Sequence, residues 1–138
     1  MKAPIRLYHD PAQSLLCTRY EGDLTHAALD ATVRELSAFA EASPCQRHLF
    51  DMSGVVRYTV GASLVPVTAR DAMKVLRTRR EHRTAIVTTD QVLHALAVAF
   101  SWAASAPTNE VRVFRHTSQA AEWLGVSLDA AAGGPVRN

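Results

Sequence analysis

The spacing of apolar residues divides the chain into nine predicted elements. Residues 5–10 alternate between apolar and polar side chains and end at Asp10-Pro11, a turn signal, and residues 14–20 follow as a second predicted strand. A connection this short requires an antiparallel hairpin, because a parallel pair needs a long crossover. Glu21-Gly22-Asp23 is expected to break the second strand.

The spacing then becomes helical over residues 24–42, with Asp23 or Thr25 as the expected N-cap. A second helical stripe covers residues 65–76 and leads into a basic stretch at 74–83. These cations are either solvated charges that the helix dipole favours or a docking patch for an acidic partner or phosphate. The sequence leaves the role of this stretch open.

Residues 47–54 form the central pattern of the chain. A short apolar run there meets Asp51, Ser53 and Gly54 at its C-terminal end. This pattern is typical of a buried strand that brings polar groups to the carboxyl edge of an α/β sheet. The strand is expected to end at Gly54, and residues 55–61 are a loop or a strand extension.

A third helix is predicted after the short buried strand at 84–88. Thr88, Thr89 and Asp90 open it, with hydroxyl caps and an acid in the first turn. Its body, residues 92–104, is apolar nearly all the way round, whereas a helix on a small sheet normally has a polar outer face. Either its outer alanines are tolerated in water, or a second subunit or an apolar ligand covers them. We predict self-association, with interface residues Leu93, Leu96, Phe100 and Trp102.

The chain ends with a predicted strand at 110–115 and a short helix at 119–124. Thr117-Ser118 is the expected cap of this helix and Gly125 its stop. The order β-β-α-β-α-β-α-β-α predicts an α/β fold, a mixed five-stranded sheet flanked by helices. Right-handed crossovers place successive helices on one face and leave the other face partly open. We expect one domain over residues 4–126 and a flexible tail over 127–138.

Two segments carry a resemblance to a known family. The central Asp51-Met52-Ser53-Gly54-Val55, and a strand ending in Phe114-Arg115 before a helix ending in Trp123-Leu124, resemble the SpoIIAA-like proteins of the STAS superfamily. The resemblance covers about residues 4–126. It implies a mixed sheet flanked by helices and a regulatory or binding role without chemistry of its own.

The best-known members of that superfamily, the anti-sigma-factor antagonists, are switched by phosphorylation of a serine after the central strand. The corresponding segment here reads Thr59-Val60-Gly61, so that serine is missing from its place. Thr59 or Ser63 substitutes for it only if the register shifts. The resemblance therefore implies a protein without the usual kinase-driven switch.

Composition narrows the classes of partner and compartment. The formal charge of the 138 residues is +2, too small to indicate a nucleic-acid or membrane partner. No apolar signal region follows Met1, and the apolar stretch at 92–104 is shorter than the ~20 residues of a membrane span. Cys17 and Cys45 form no CxxC pair and are expected to be reduced. We expect a cytoplasmic protein without stable membrane insertion.

The sequence contains no recognisable catalytic, metal or cofactor motif. No HExxH, nucleophile elbow, P-loop or dinucleotide fingerprint occurs, and the six histidines form no i, i+4 pair. We therefore predict no enzyme activity, no metal and no cofactor. Asp51 at its strand end is expected to accept hydrogen bonds from the following turn.

The sequence also offers a candidate ligand site at the carboxyl edge of the sheet, where open α/β sheets bind ligands. The polar residues expected at that edge are Ser53, Tyr58, Thr59, Thr88, Thr89, Arg115 and His116. They suit a small anion or an amphipathic acid such as a fatty acid, or they are ordinary caps and turn residues. The leading hypothesis is a homodimeric regulatory or interaction module. The alternative is a carrier or sensor of such a ligand.

Overall fold

Five strands form one mixed sheet in the sequential order β1-β2-β3-β4-β5. The computed structural model describes residues 5–25, 27, 31, 34, 46–58, 82–104 and 109–128. The strands are β1 (Ile5–Asp10), β2 (Leu15–Leu24), β3 (Arg47–Tyr58), β4 (His82–Val87) and β5 (Asn109–Phe114). Two helices have both ends among the described residues, α1 (Gln91–Ala104) and α2 (Thr117–Leu124). This architecture confirms the predicted α/β class.

β1 and β2 form the predicted antiparallel hairpin, and all other neighbouring strands are parallel. A 3-10 turn over Pro11–Gln13 makes the connection. The carboxylate of Asp10 accepts a hydrogen bond of 3.1 Å from the Ala12 N–H, and Ser14 takes a left-handed φ of 51°. The proline and the Asp10 side chain therefore set the turn.

β2 is longer than the sequence predicted, and β3 follows the strand-extension alternative for the residues after Gly54. β2 continues through Glu21-Gly22-Asp23 to Leu24, and β3 continues past Gly54 to Tyr58. Register shifts between Arg19 and Glu21 and between Gly22 and Asp23 absorb the irregular residues, so the two strands stay paired. At Gly54 a Cβ atom would lie 2.8 Å from the Tyr20 carbonyl oxygen, so glycine permits this close approach.

The two predicted helices before β4 lie mostly outside the described residues. Leu24 belongs to β2, so the first helix does not begin there. Ala27, Ala31 and Arg34 are helical, while the rest of residues 26–45 lies outside the described residues. The second predicted helix and the basic residues 74–81 also lie outside them.

The core lies on both faces of the sheet. On one face α1 covers β3, β4 and β5, where Ile86, Ala97 and Val111 pack with Phe50 and Phe100. On the other face α2 packs through Ala120 and Leu124 against side chains of β2, β3 and β4. α2 leaves the β1–β2 end of its face half exposed, so that face is the partly open one.

The caps of both helices differ from the prediction. Asp90 caps α1, since its carboxylate accepts a 2.8 Å hydrogen bond from the Leu93 N–H, and neither Thr88 nor Thr89 supplies a side-chain cap. α2 begins at Thr117 with His116 as its N-cap, and no side chain caps it, so the predicted Thr117-Ser118 cap is wrong. Gly125 ends α2 with a φ of 72°, as predicted.

Two arginine bonds hold the C-terminal end of α2 against the first residues of β3 and β4, and a third joins β3 to the turn between β1 and β2. Arg47 Nε donates to the Leu124 carbonyl at 2.9 Å, and Arg47 Nη1 donates to the Gln13 carbonyl at 2.8 Å. Arg83 Nη1 donates to the Trp123 carbonyl at 2.8 Å. Cations at a helix C-terminus satisfy its last carbonyls and oppose its dipole. Arg83, at the end of the basic stretch, therefore has a structural role.

Packing continues past the predicted domain boundary at residue 126. The Ser127 N–H donates to Gln13 Oε1 at 2.7 Å, and Gln13 Nε2 donates to the Ser127 carbonyl at 2.9 Å. Leu128 packs against the core cluster beneath α2. Ser127 and Leu128 are therefore part of the packed domain, and the remaining predicted tail lies outside the described residues.

Candidate functional site

One edge of the sheet forms a step, because β2 and β3 extend past the last residues of β4 and β5. Asp51 of β3 pairs with Val87, the last residue of β4, and Val87 pairs with Phe114, the last residue of β5. β2 and β3 continue beyond this row, while the chain after β5 turns into α2 at Thr117. A cleft of about 200 Å³, here called the step cleft, opens between α2 and the hairpin end of the sheet.

Three strands and the end of the packed chain line the step cleft. Arg6 and Tyr8 come from β1, and the neighbouring strands contribute mainly side chains of the same sheet face. The full lining is Arg6, Tyr8, Cys17, Thr18, Arg19, Leu49, Asp51, Ser53, Thr117 and Leu128. The cleft thus combines cations and hydroxyls with an apolar floor.

Asp51 is the central acid of the cleft and is only 7% exposed. Its Oδ2 lies 3.5 Å from Arg19 Nε. Its Oδ1 accepts hydrogen bonds from the Ser53 N–H at 3.0 Å and from Ser53 Oγ at 2.5 Å. Asp51 therefore accepts the expected hydrogen bond from a backbone N–H that follows it, although Ser53 lies within β3 and not in a turn after the strand.

Arg6 and Arg19 lie directly opposite each other on β1 and β2. Like charges in such a cross-strand pair are unfavourable unless other charges offset them. Asp51 pairs with Arg19, and Glu21 pairs with Arg6 at 3.4 Å between Nε and Oε1. Both distances exceed those of good N–H···O hydrogen bonds, so the two guanidiniums keep donors for another acceptor.

Cys17 lies on the floor of the cleft beside Leu49. Burial raises the pKa of its thiol from 9.0 to about 12, the Arg19 charge lowers it in part, and Asp51 and Asp10 raise it further. The thiolate is the nucleophilic form of cysteine. Cys17 therefore acts here as a small apolar side chain, consistent with the reduced cysteine expected from the sequence.

Most of the predicted edge residues that the structure describes do not line the step cleft. Ser53 lines the step cleft, but the exposed Thr89, Arg115 and His116 do not. Thr88 is fully buried, and its N–H donates to the Phe114 carbonyl at 3.0 Å. Tyr58 is the last residue of β3, and Thr59 lies outside the described residues. Among the described side chains of the predicted set, Ser53 is therefore the one that lines the step cleft.

Sequence reasoning missed the cations that line the cleft. Arg6 and Arg19 alternate with apolar residues and look like ordinary solvent-facing strand positions. Their cross-strand pairing in the predicted hairpin was the available signal, since residues opposite each other share one face. Thr117 enters the cleft only because α2 folds back over the sheet.

The outer surface of α1 forms a second candidate site. Val92, Ala95, Ala99 and Trp102 are all exposed and make up what is here called the outer stripe. Trp102 is 79% exposed. The spacing of 3, 4 and 3 residues places the four side chains on one line along the helix.

The predicted interface residues divide between two faces of α1. Leu93 is only 4% exposed and belongs to the core, which corrects its assignment to an outward surface. Leu96 and Phe100 are half-buried and pack against the sheet clusters. Of the four, Trp102 alone belongs to the outer stripe, because helical spacing turns the others inward.

Two negative observations concern the described part of the chain. Within it, no group of three or more His, Cys, Asp or Glu side chains is placed to hold a metal ion. None of the helices described there has the length and apolarity needed to cross a membrane.

Comparisons with known proteins agree on one fold. A family model described as SpoIIAA-like matches residues 15–125. The anti-sigma factor antagonist SpoIIAA in its unphosphorylated form aligns with 88% of this chain and 97% of its own, at 13% identity and a TM-score of 0.55. The phosphorylated Bacillus cell fate determinant SpoIIAA covers 87% of this chain and 98% of its own, at 14% identity and a TM-score of 0.51.

A third solved structure is an uncharacterized protein of the DUF3478 family with a SpoIIAA-like fold, from Shewanella loihica PV-4. It aligns with 87% of this chain and 91% of its own, at 20% identity and a TM-score of 0.51. A comparison with curated proteins gave no match. At these identities the structural matches support the fold alone.

Proposed function

Because this chain belongs to the SpoIIAA-like family, as the match over residues 15–125 shows, we propose that it is a non-enzymatic regulatory module that acts through protein contacts. The family membership confirms the resemblance seen in the sequence. The proposed first partner is a second copy of the chain. The observation that carries this proposal is the exposed outer stripe of α1.

The outer stripe has the chemistry of a contact surface. Its residues are Val92, Ala95, Ala99 and Trp102, and the sequence of α1 contains no Asp, Glu, Lys or Arg. Exposed apolar patches of this kind mark interaction sites, and tryptophan is enriched among the residues that carry binding energy. An uncharged surface also favours a partner that is itself uncharged.

The stripe is complementary to itself. Val92 and Trp102 lie five residues on either side of position 97, and Ala95 and Ala99 lie two residues on either side. An antiparallel pair of α1 helices therefore places Trp102 of one copy against Val92 of the other, about 15 Å along the helix from the same contact repeated by the twofold axis. The central alanines allow the helices to approach closely, and the contact is isologous, as in a twofold dimer.

Sedimentation velocity on the full chain tests this surface. The wild-type protein is expected to sediment as a dimer, and Trp102→Glu is expected to weaken the dimer at least about tenfold, since a charge must then be desolvated in the contact. Val56→Glu is the matched control, because Val56 is an apolar residue of β3 that is 84% exposed and lies outside the stripe. A monomeric wild-type protein, or a folded Trp102→Glu dimer of unchanged affinity, would refute the proposal.

The alternative function is that of a carrier or sensor of a small amphipathic or anionic ligand, such as a fatty acid. The step cleft supports it, because Ser53 of the predicted edge set lines a concave site there. Native mass spectrometry of gently purified protein tests this alternative. A bound mass that is released on denaturation supports a ligand binder, and a bare chain or bare dimer argues against a retained ligand.

The proposal includes no phosphorylation switch. The position of the family's serine falls in Thr59-Val60-Gly61, where no serine stands. Thr59 and Ser63 lie outside the described residues, so this departure rests on the sequence. Phosphopeptide mapping of protein from its native host tests it, and phosphate at either residue would contradict the prediction.

A further inference from the structure

We propose that the step cleft is a binding site for one small oxyanion, held between the guanidiniums of Arg6 and Arg19 and the N-terminus of α2. This inference narrows the ligand-binding alternative to a ligand class and to named residues. It does not depend on self-association through α1.

The two arginines supply the charge. Arg6 and Arg19 are cross-strand neighbours on the cleft face, so a single ligand between them contacts both. Their ion pairs with Glu21 and Asp51 measure 3.4 and 3.5 Å, and among the described residues neither guanidinium has a further partner. An oxyanion accepts short charge-assisted bonds from such donors and relieves the repulsion between the two cations.

The start of α2 supplies backbone donors. Thr117, its first residue, lines the cleft, and no side chain caps the helix. The first N–H groups of an α-helix lack intrahelical partners and carry the positive end of the helix dipole. An anion at this point therefore takes the place of the missing cap.

The dimensions and charges of the cleft limit the ligand. Its volume of about 200 Å³ lies below the ~300–1,000 Å³ typical of sites for drug-sized ligands. It therefore favours a phosphate or carboxylate group on a small molecule over a fatty-acid tail. Asp51 is the one carboxylate among the lining residues, and it opposes an anion, so its charge must weaken binding.

NMR titration of the full chain with inorganic phosphate, at constant ionic strength maintained with chloride, tests the site. Saturable shifts are expected at the amides of Ser53, Thr117 and Ser118 and at Arg19 Nε–H. A parallel titration with acetate identifies whether the phosphate or the carboxylate group binds more tightly. Linear shifts in both titrations, like those that chloride produces, would overturn the inference and leave the α1 proposal untouched.

Three variants are expected to change the affinity for phosphate, two of them downward and one upward, and a fourth serves as a control. Arg6→Gln and Arg19→Gln are each expected to weaken binding about tenfold, whereas Asp51→Asn is expected to tighten it by removing the opposing charge. Arg112→Gln is the matched control, because Arg112 pairs with Glu110 at 2.8 Å and lies over Trp123 on the same face, outside the cleft. If Arg19→Gln does not fold, the affinities of Arg6→Gln and Asp51→Asn still test whether the site binds phosphate. Equal affinity in all folded variants would refute the site.

Discussion

Cys17 shows at the scale of one residue how burial controls reactivity. It pairs with Leu49 in the β2–β3 ladder and lies beside the Arg19–Asp51 ion pair. A pKa of about 12 in place of 9.0 lowers the thiolate fraction near neutral pH roughly a thousandfold. The neighbouring arginine does not activate the thiol, because desolvation outweighs its charge.

The reactivity of Cys17 is therefore predicted to be very low in the folded protein. In a Cys45→Ser background, alkylation by iodoacetamide at pH 8 is expected to be at least about a hundredfold slower than in the same chain unfolded in guanidinium. Mass spectrometry over time measures both rates. Equal rates in the two states would contradict the protection of this half-buried thiol in the folded protein.

The same pKa makes stability depend on alkaline pH. The folded state holds the thiol proton more tightly than the unfolded state does, so this contribution is complete below about pH 9 and is lost as the pH rises toward about 12. Replacing Cys17 by Ala in the same background removes this dependence. A comparison of urea unfolding at pH 8 and pH 10 therefore separates Cys17 from other alkaline effects.

Asp51 also belongs to the residue scale. The local pattern placed it at a strand end, whereas β3 continues seven residues further to Tyr58, and only its hydrogen bonds to Ser53 agree with that pattern. Its ion pair with Arg19 did not follow, because that contact depends on the parallel register of β2 and β3. Sequence order separates Arg19 from Asp51, and only strand pairing brings them together.

At the scale of elements, the N-cap of α1 depends both on the local sequence and on the tertiary structure around the start of the helix. Three consecutive candidates, Thr88, Thr89 and Asp90, offer a side-chain oxygen at the helix start. Asp90 is the residue that bonds to the Leu93 N–H, while Thr88 is buried against the end of β5. The position of β5 therefore helps to decide which candidate caps the helix.

Asp90→Ala is predicted to destabilise the protein by about 0.5–2 kcal/mol, because the first turn of α1 loses its cap and an acid near the positive end of the dipole. Thr89→Ala is the matched control, since Thr89 is the exposed neighbouring candidate and provides no cap; it is expected to change stability by less than about 0.5 kcal/mol. Urea denaturation measures both values. A larger loss in Thr89→Ala than in Asp90→Ala would reverse the assignment of the cap.

At the scale of the whole molecule, the two helices divide the surface between two proposed functions. α1 lies on one face of the sheet and presents the outer stripe to solvent. α2 lies on the other face and leaves the step cleft open beside the hairpin. Protein contact and anion binding therefore use opposite sides of the sheet, so one does not block the other.

The antiparallel arrangement of the proposed dimer predicts a charge rescue. Val92→Glu and Trp102→Lys are each expected to weaken the dimer at least about tenfold. The double variant Val92→Glu/Trp102→Lys is expected to recover part of the loss, because each Glu then faces a Lys of the other copy. Sedimentation velocity across a concentration series measures the dimer dissociation constants of all three variants.

The like-charge double variant Val92→Lys/Trp102→Lys is the control for this rescue. It introduces the same number of charges but no opposite pair, so it is expected to stay monomeric. Recovery in both double variants, or in neither, would exclude the antiparallel register, and circular dichroism verifies that each variant is folded.

The sequence by itself determined the elements that local physics specifies. The hairpin follows from a connection too short for a crossover, the stop of α2 follows from Gly125, and the buried strands follow from their apolar runs. The resemblance to the SpoIIAA-like family could also be recognised from the sequence, because the motifs that carry it lie in contiguous segments. These features depend on neighbours a few residues away.

The tertiary structure alone decided how far β2 and β3 extend past β4 and β5, and which side chains come together in the step cleft. Bulges keep the two strands paired past Glu21 and Gly54, which composition marks as breakers, because the ladder compensates for poor local propensity. The hairpin brings Arg6 and Arg19 to the step cleft, and Thr117 joins them from a distant segment of the chain. The proximity of the two arginines follows from the predicted hairpin, but Thr117 is so far from them in sequence that no local signal shows its place, since only the return of α2 over the sheet brings it there.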